Sequence, residues 1–419
     1  MRQPLLTFTA CISVALAAAC SSDDPSHAES AGVAIRDSAG IRIVENPEHA
    51  PDRTGWSIDT VPILAIGGDE SLGEAYLFGR VMDVLRLGDG GLVVADGQLD
   101  AVRMYGPDGT YLRQAGRRGQ GPGEYTGVSE LLHLPGDGFA VRSGYGGRAL
   151  VHFDSAGEHV GSTAPPSLPD DGGGAGFGVL TFVDAFGDGT FLARVTSNPT
   201  IGARGETPGV ITLAEGVQRL ARVGTDGHVG LEYGAFPGAR HMCISMAERL
   251  CGVRNAGLYL PQPHIATAGG RLYFADGARF EIIVYGADGR IERIIRKPAT
   301  PRTIAAAWGD SLHGAMADFL ARFPVGSRIA RDLPAIAVPE HAPPIDALHT
   351  DPAGNLWVRS GGPGNPAPPT WFVFDSTGVL THSLESRVEP LRIGADYVLT
   401  TARDEYGVER VEVLRLRKR

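Results

Sequence analysis

Five times along this chain an aromatic or β-branched residue stands four places before a glycine: Tyr105 and Gly109, Phe153 and Gly157, Val223 and Gly227, Tyr285 and Gly289, Phe374 and Gly378. One offset kept at long intervals marks a supersecondary unit copied several times, and it constrains the fold more than any single motif. In the clearest copy, "VMDVLRLGDGGLVVADGQLDAVRMYGPDGTYLRQAG" (81–116), four short apolar runs are separated by turns such as "GDGG" and "GPDG". Runs of about five to seven residues are too short for ordinary helices and suit strands, while glycine supplies the positive φ that tight turns demand. The unit is a four-stranded antiparallel meander. Further copies lie at 130–162, at 181–195 joined after an insertion to 219–230, at 264–297, and at 345–360 joined to 370–385.

The second strand of the unit is apolar on both faces: "GLVVA", "RLYFA", "NLWV". An antiparallel strand with one wet face alternates instead, so both faces of each sheet must be covered by neighbouring sheets. Sheets stacked around a common axis satisfy this, and the fold expected over 40–418 is an all-β propeller. The 58 glycines and 29 prolines agree with many turns and few helices. At the C-terminus, "LRIGADYVLTTARDEYGVERVEVLRLRK" (391–418) reads as three strands with no turn and no fourth strand. The isolated strand "WSIDTVPILAI" (56–66) is expected to complete that sheet, giving six blades closed by the N-terminal strand. Two stretches interrupt the repeat. Residues 232–262 read as an irregular loop, and 299–343 as a helical insertion, because Ile304, Trp308, Leu312, Met316, Phe319, Leu320 and Phe323 recur at helical spacing.

"GRRGQGPGEY" (116–125) has the glycines of a phosphate cradle but lacks its context. Such a loop needs a strand before it and a helix N-terminus after it, and here "SELLHL" follows as a strand. It is read as a connection between blades. "AGRRGQGPGEY" with "GGLVVADGQLDAVRMYGPDG" resembles the NHL-repeat propellers, and more closely the six-bladed β-propeller lipoproteins of bacteria. The likeness covers residues 40–418, is strongest in blades one, four and five, and implies fold far more than activity.

Residues 1–19 read as a signal peptide: Arg2 precedes an apolar run from Leu5 to Ala19 that is short for a membrane span. "LAAAC" resembles the lipobox of bacterial lipoproteins, with Cys20 taking the lipid. Ala17-Ala18-Ala19 also fits ordinary signal cleavage, so simple secretion stays open. Residues 20–39 read as a polar tether, and Ser21 after Cys20 matches lipoproteins sent to the outer membrane. Of the remaining cysteines, Cys243 and Cys251 suit a local disulfide in an oxidising compartment, with a metal or redox pair as the alternative.

A net charge of −10 argues against nucleic acid as a partner, since phosphate neutralisation needs surplus Lys and Arg. No G-x-S-x-G, H-E-x-x-H or EF-hand pattern is present, so no catalytic residue, metal ligand or cofactor is assigned. Candidate ligand-binding residues are Arg86, His133 and His349, late in their first strands by register, with His264 opening blade four. Facing one axis they would bind an anion or metal; alternation would instead turn them between blades. Propeller lactonases and amidating lyases hold Ca²⁺ or Zn²⁺ through channel Asp, Glu, Asn or His, which brings in Asp96 and Asp276. Each sits where an Asp caps backbone donors at a turn. The leading expectation is a monomeric, lipid-anchored scaffold binding an envelope protein, peptide or glycan. A metal-dependent hydrolase or lyase using the channel is the alternative, and a purely structural envelope part the third reading.

Overall fold

Leu92 and Val94 of "GLVVA" pack against one neighbouring sheet, Val93 and Ala95 against the other, and all four are buried. That double burial recurs around the whole molecule. A computed structural model describes residues 32–418 except 52–54, 145–148, 167–178, 198–210, 248–249, 255–259, 362–366 and, apart from Asp310 and Gly314, 305–339. Six sheets stand in a ring, the arrangement of a six-bladed β-propeller. Blade one is Val81–Arg86, Leu92–Asp96, Ala101–Tyr105 and Tyr111–Gln114; blade two is Glu130–His133, Phe139–Ser143, Ala149–Phe153 and His159–Thr163. Blade three contains Val179–Ala185, Phe191–Ser197, Ile211–Val223, Val229–Ala247 and Leu250–Arg254. Blade four is built on His264–Ala268, Arg271–Ala275, Glu281–Tyr285 and Ile291–Arg296; blade five on Ala347–Thr350, Leu356–Ser360, Thr370–Phe374 and Leu380–Glu385. An apolar cluster fills each gap between neighbours, from Leu85, Val93, Leu131 and Phe139 between blades one and two to Trp357, Trp371, Val398 and Leu414 between five and six.

Blade six joins the two ends of the chain. Arg392–Ile393, Tyr397–Arg403 and Glu409–Lys418 are completed by Trp56–Ile66, whose Trp56 lies opposite Lys418 and whose Ile66 lies opposite Val411. The Lys418 ammonium sits 4.5 Å over the Trp56 ring, and Trp56 stacks on His382 of blade five at 4.5 Å. The five repeated glycines all adopt positive φ, from 77° at Gly157 to 85° at Gly378. Blade six also has the turn that its sequence was expected to lack. Gly407 at φ 81° closes it, and Asp404 Oδ1 accepts from the amides of Tyr406 and Val408 at 2.9 Å each.

Two boundaries differ from the sequence reading. The tether expected to run to residue 39 ends earlier, because Ala34–Ser38 pairs with Ile41–Glu45, which lies parallel to Ile291–Arg296 and widens blade four to six strands. Ala39 (φ 51°) and Gly40 (φ 81°) form the two-residue turn, and the strand escaped notice because all five of its residues are exposed. The stretch 232–262 is largely strand rather than irregular loop: Ile211–Val223 and Val229–Ala247 form one long hairpin, with Leu250–Arg254 added at its edge. Gly216 and Gly238 serve a close crossing in this hairpin, since a Cβ on Gly238 would fall 2.6 Å from the Gly216 carbonyl carbon. Cys243 lies in register with Val253 and Cys251 with Ser245; their side chains lie outside the described residues. So do residues 1–19, Cys20 and nearly all of the helical insertion, whose ends meet as Arg302–Thr303 paired with His341–Ala342.

The connections divide by face. First-to-second and third-to-fourth strand connections are tight turns, such as 87–91, 106–110, 154–158 and 286–290. The opposite face carries the described second-to-third connections, such as 97–100 and 404–408, and the described passages between blades, such as 115–129 and 386–391. One end of the ring is therefore a turn face and the other a loop face.

Candidate functional site

The axis of the ring holds a cavity of about 500 Å³ walled by the first strands of all six blades. In an apolar propeller those strands would plug the channel. Here blade one contributes Asp83, blade two Glu130, blade three Asp184, blade five His349 and blade six Arg392, with Arg142 reaching in from the second strand of blade two.

Arg392 spans the most distance. Its Nε and Nη2 donate to the two Asp83 oxygens at 3.3 and 2.5 Å, and Nη2 also donates to the Leu131 carbonyl at 2.7 Å, so one guanidinium ties blade six to blades one and two. Asp83 is 6% exposed and also accepts from the Val84 and Leu131 amides at 2.8 and 3.0 Å. Burial opposes the charge on Arg392, but Asp83, Asp184 and Glu130 outweigh it and hold its proton more firmly than usual. Glu130 pairs with Arg142, which donates to Ser129 Oγ at 3.0 Å and to the Phe182 carbonyl of blade three at 2.7 Å. Burial pushes the Glu130 carboxyl up to about 7; Arg142 pulls against that shift and Asp83 adds to it. Asp184 accepts from the Ala185 amide at 2.9 Å and from Thr267 Oγ1 of blade four at 2.7 Å, and burial raises its carboxyl too, against the pull of Arg392. Thr350 of blade five closes the belt by donating to the Thr267 carbonyl at 2.8 Å. These polar groups staple neighbouring blades and give the channel a polar wall.

The residues singled out from the sequence separate. His349 lines the cavity, and burial followed by Arg392, Arg359 and His264 lowers its imidazole to about 4, so it is neutral. Arg86 and His133 do not line it. They close their strands opposite Leu92 and Phe139, whereas the residue of blade five in that register is Thr350, opposite Leu356. His349 is one position earlier and so points to the other face of its sheet. Arg86 lies on the turn face with its guanidinium 4.5 Å over Tyr397, and His133 is 49% exposed, 3.5 Å from Asp137. His264 stands outside the cavity lining; burial lowers its imidazole, opposed by Asp346.

Asp96 is a structural cap: it is fully buried and accepts from the amides of Gly79, Arg80, Gln98 and Leu99 at 2.8 to 3.1 Å. Asp276 likewise accepts from the Ala278 amide at 2.8 Å. The glycine-rich 116–125 segment folds back on itself. Glu124 accepts from Arg117 Nε at 2.7 Å and the Gly121 amide at 2.8 Å, and buried Tyr125 donates to the Ala115 carbonyl at 2.7 Å while accepting from the Val102 amide at 3.0 Å. Among the described residues no three His, Cys, Asp or Glu side chains come together as a metal site.

Asp83, Glu130, Asp184 and Arg392 were not singled out from the sequence. Their signal was one charge inside an otherwise apolar first strand, in "VMDVL", "SELLH", "FVDAF" and "PLRIG".

No known family profile matches the chain, and no curated protein matches it in sequence. Among solved structures it is similar to a Bacteroides fragilis protein described as exported, at 10% identity over 90% of this chain and 99% of that one, with a TM-score of 0.46. A member of the DUF4221 family from Bacteroides vulgatus gives 9% identity, coverage of 88% and 100%, and a TM-score of 0.48. Virginiamycin B lyase from Staphylococcus aureus gives 9% identity, coverage of 86% and 99%, and a TM-score of 0.38. Identities and scores this low transfer neither activity nor ligand.

Proposed function

We propose that the protein is an exported, lipid-anchored binding scaffold of the cell envelope. Its partner, a protein, peptide or glycan, is held on the loop face above the polar channel. The asymmetry between the two ends of the ring carries this reading. The described passages between blades share one face with the second-to-third connections, where a rigid ring presents them together, and such loops are where binding residues concentrate. A groove of about 550 Å³ on that face, lined by Arg80, Gln98, Ser129 and Arg142, opens beside the channel. A channel metal hydrolase finds less support, because the oxygens of Asp83 are taken by Arg392 and two amides, and Glu130 by Arg142.

The test is calorimetric titration of the full chain with defined peptides and glycans, comparing Arg80→Glu on the loop face with Arg290→Glu on the turn face. A ligand weakened about tenfold by the first substitution and untouched by the second supports the scaffold. Equal effects from both, or a melting temperature that collapses on chelation, would overturn it. Anchoring is checked separately: fatty-acid labelling should vanish in Cys20→Ser.

A further inference from the structure

We propose that the channel cavity binds a small zwitterion of α-amino-acid size, its ammonium on Asp184 and its carboxylate on Arg392. The channel shares Met82, Ser129 and Arg142 with the loop-face groove, but Asp184 and Arg392 line the channel alone, so this proposal does not rest on the scaffold reading.

Two groups in the cavity wall have coordination left over, and their charges are opposite. Asp184 takes hydrogen bonds from uncharged donors, the Ala185 amide and the hydroxyl and amide of Thr267. Arg392 acts on it through space but spends its hydrogen bonds on Asp83 and the Leu131 carbonyl. A buried carboxylate with no direct ion pair is costly, and an incoming ammonium would lower that cost. Arg392 commits Nε and Nη2 to Asp83 and the Leu131 carbonyl. Its Nη1 has no partner among the described residues, and the side chain is 31% exposed in the cavity wall. A guanidinium with one edge fixed and the other open presents a rigid donor to an oxyanion.

The charge balance selects a ligand with no net charge. With Glu130 ionised, as it is above about pH 7, Asp83, Glu130 and Asp184 equal in number Arg392, Arg142 and Arg194, the last with its Nε buried and unpartnered. His349 beside them is neutral. A simple amine or a simple acid would bring an uncompensated charge into this enclosure, whereas a zwitterion leaves the sum unchanged and satisfies both open groups. The volume of about 500 Å³ lies in the range of small-molecule pockets and suits a compact skeleton.

The experiment titrates the full-length protein with the common α-amino acids, then with the amine and the acid obtained by deleting one charged group from each. At least one α-amino acid should bind tenfold or more tightly than its amine and its acid. Asp184→Asn should weaken the amino acid and the amine about tenfold and leave the acid unchanged. Arg392 holds three blades together, so its substitution is not the primary test. If Asp184→Asn does not fold, the analogue series on the wild-type chain decides. The proposal fails if no α-amino acid binds at millimolar concentration, if either truncated analogue binds as well as its parent, or if Asp184→Asn binds all three unchanged.

Discussion

Glu130 and His349 should mask each other in the pH dependence of stability. The Glu130 carboxyl rises from its ordinary 4.5 to about 7, so between those values the folded protein holds a proton that the unfolded chain has released. Its contribution is complete below pH 4.5 and is lost as pH climbs through 7. His349 runs the other way: its imidazole falls from 6.5 to about 4, so the unfolded chain holds the extra proton. That contribution is present above pH 6.5 and is lost as pH drops through 4. Each slope is at most about 1.4 kcal/mol per pH unit, and solvent screening holds each total to about 1–2 kcal/mol over the whole window. Arg142, Asp83, Arg392 and Asp184 face Glu130, while Arg392, Arg359 and His264 face His349. Urea denaturation of wild type, Glu130→Gln and His349→Gln across pH 4.5 to 6.5 isolates the two terms. Relative to wild type, Glu130→Gln should gain stability as pH rises and His349→Gln should lose it. Difference curves that are both flat, or that tilt the same way, would show that the cavity does not shift these groups as argued.

Other perturbations probe the frame around the cavity. Tyr125→Phe removes a hydroxyl that satisfies the Ala115 carbonyl and the Val102 amide, and should cost about 2 kcal/mol in a denaturant titration. Asp96→Ala strands four backbone donors and should cost about 3 kcal/mol, with Asp276→Ala, whose bonding is slighter, costing less in the same assay. Removing residues through Ile66 exposes the Glu409–Lys418 edge, so the truncated chain should elute as aggregates in size-exclusion chromatography.

The repeat was legible because glycine at positive φ is chemically distinctive, and five such positions kept one offset from a core residue. Closure by Trp56–Ile66 was legible because an apolar strand with no sheet of its own needs one. The strand Ala34–Ser38 was not, since an edge strand open to water carries no apolar pattern. Nor was the Asp404–Gly407 turn, which joins second and third strands where the repeat places no glycine rule. At the channel the difficulty was register. Arg86, His133 and His349 look equivalent when counted from the turn, yet one residue separates the first two from the third and reverses the face. Asp83 and Glu130 lie further up their strands and Asp184 shares the register of His349, and a lone acid in an apolar run looks like an accident until the six strands converge.

The seam in blade six has a consequence for how the molecule is made. Trp56 must wait for Lys418, far downstream in the chain, before the circle can shut. Contacts so far apart in sequence form slowly, and until they do blade six presents a bare hydrogen-bonding rim to every other nascent chain nearby. The cell must therefore shield this polypeptide until the strand that ends at Lys418 has arrived.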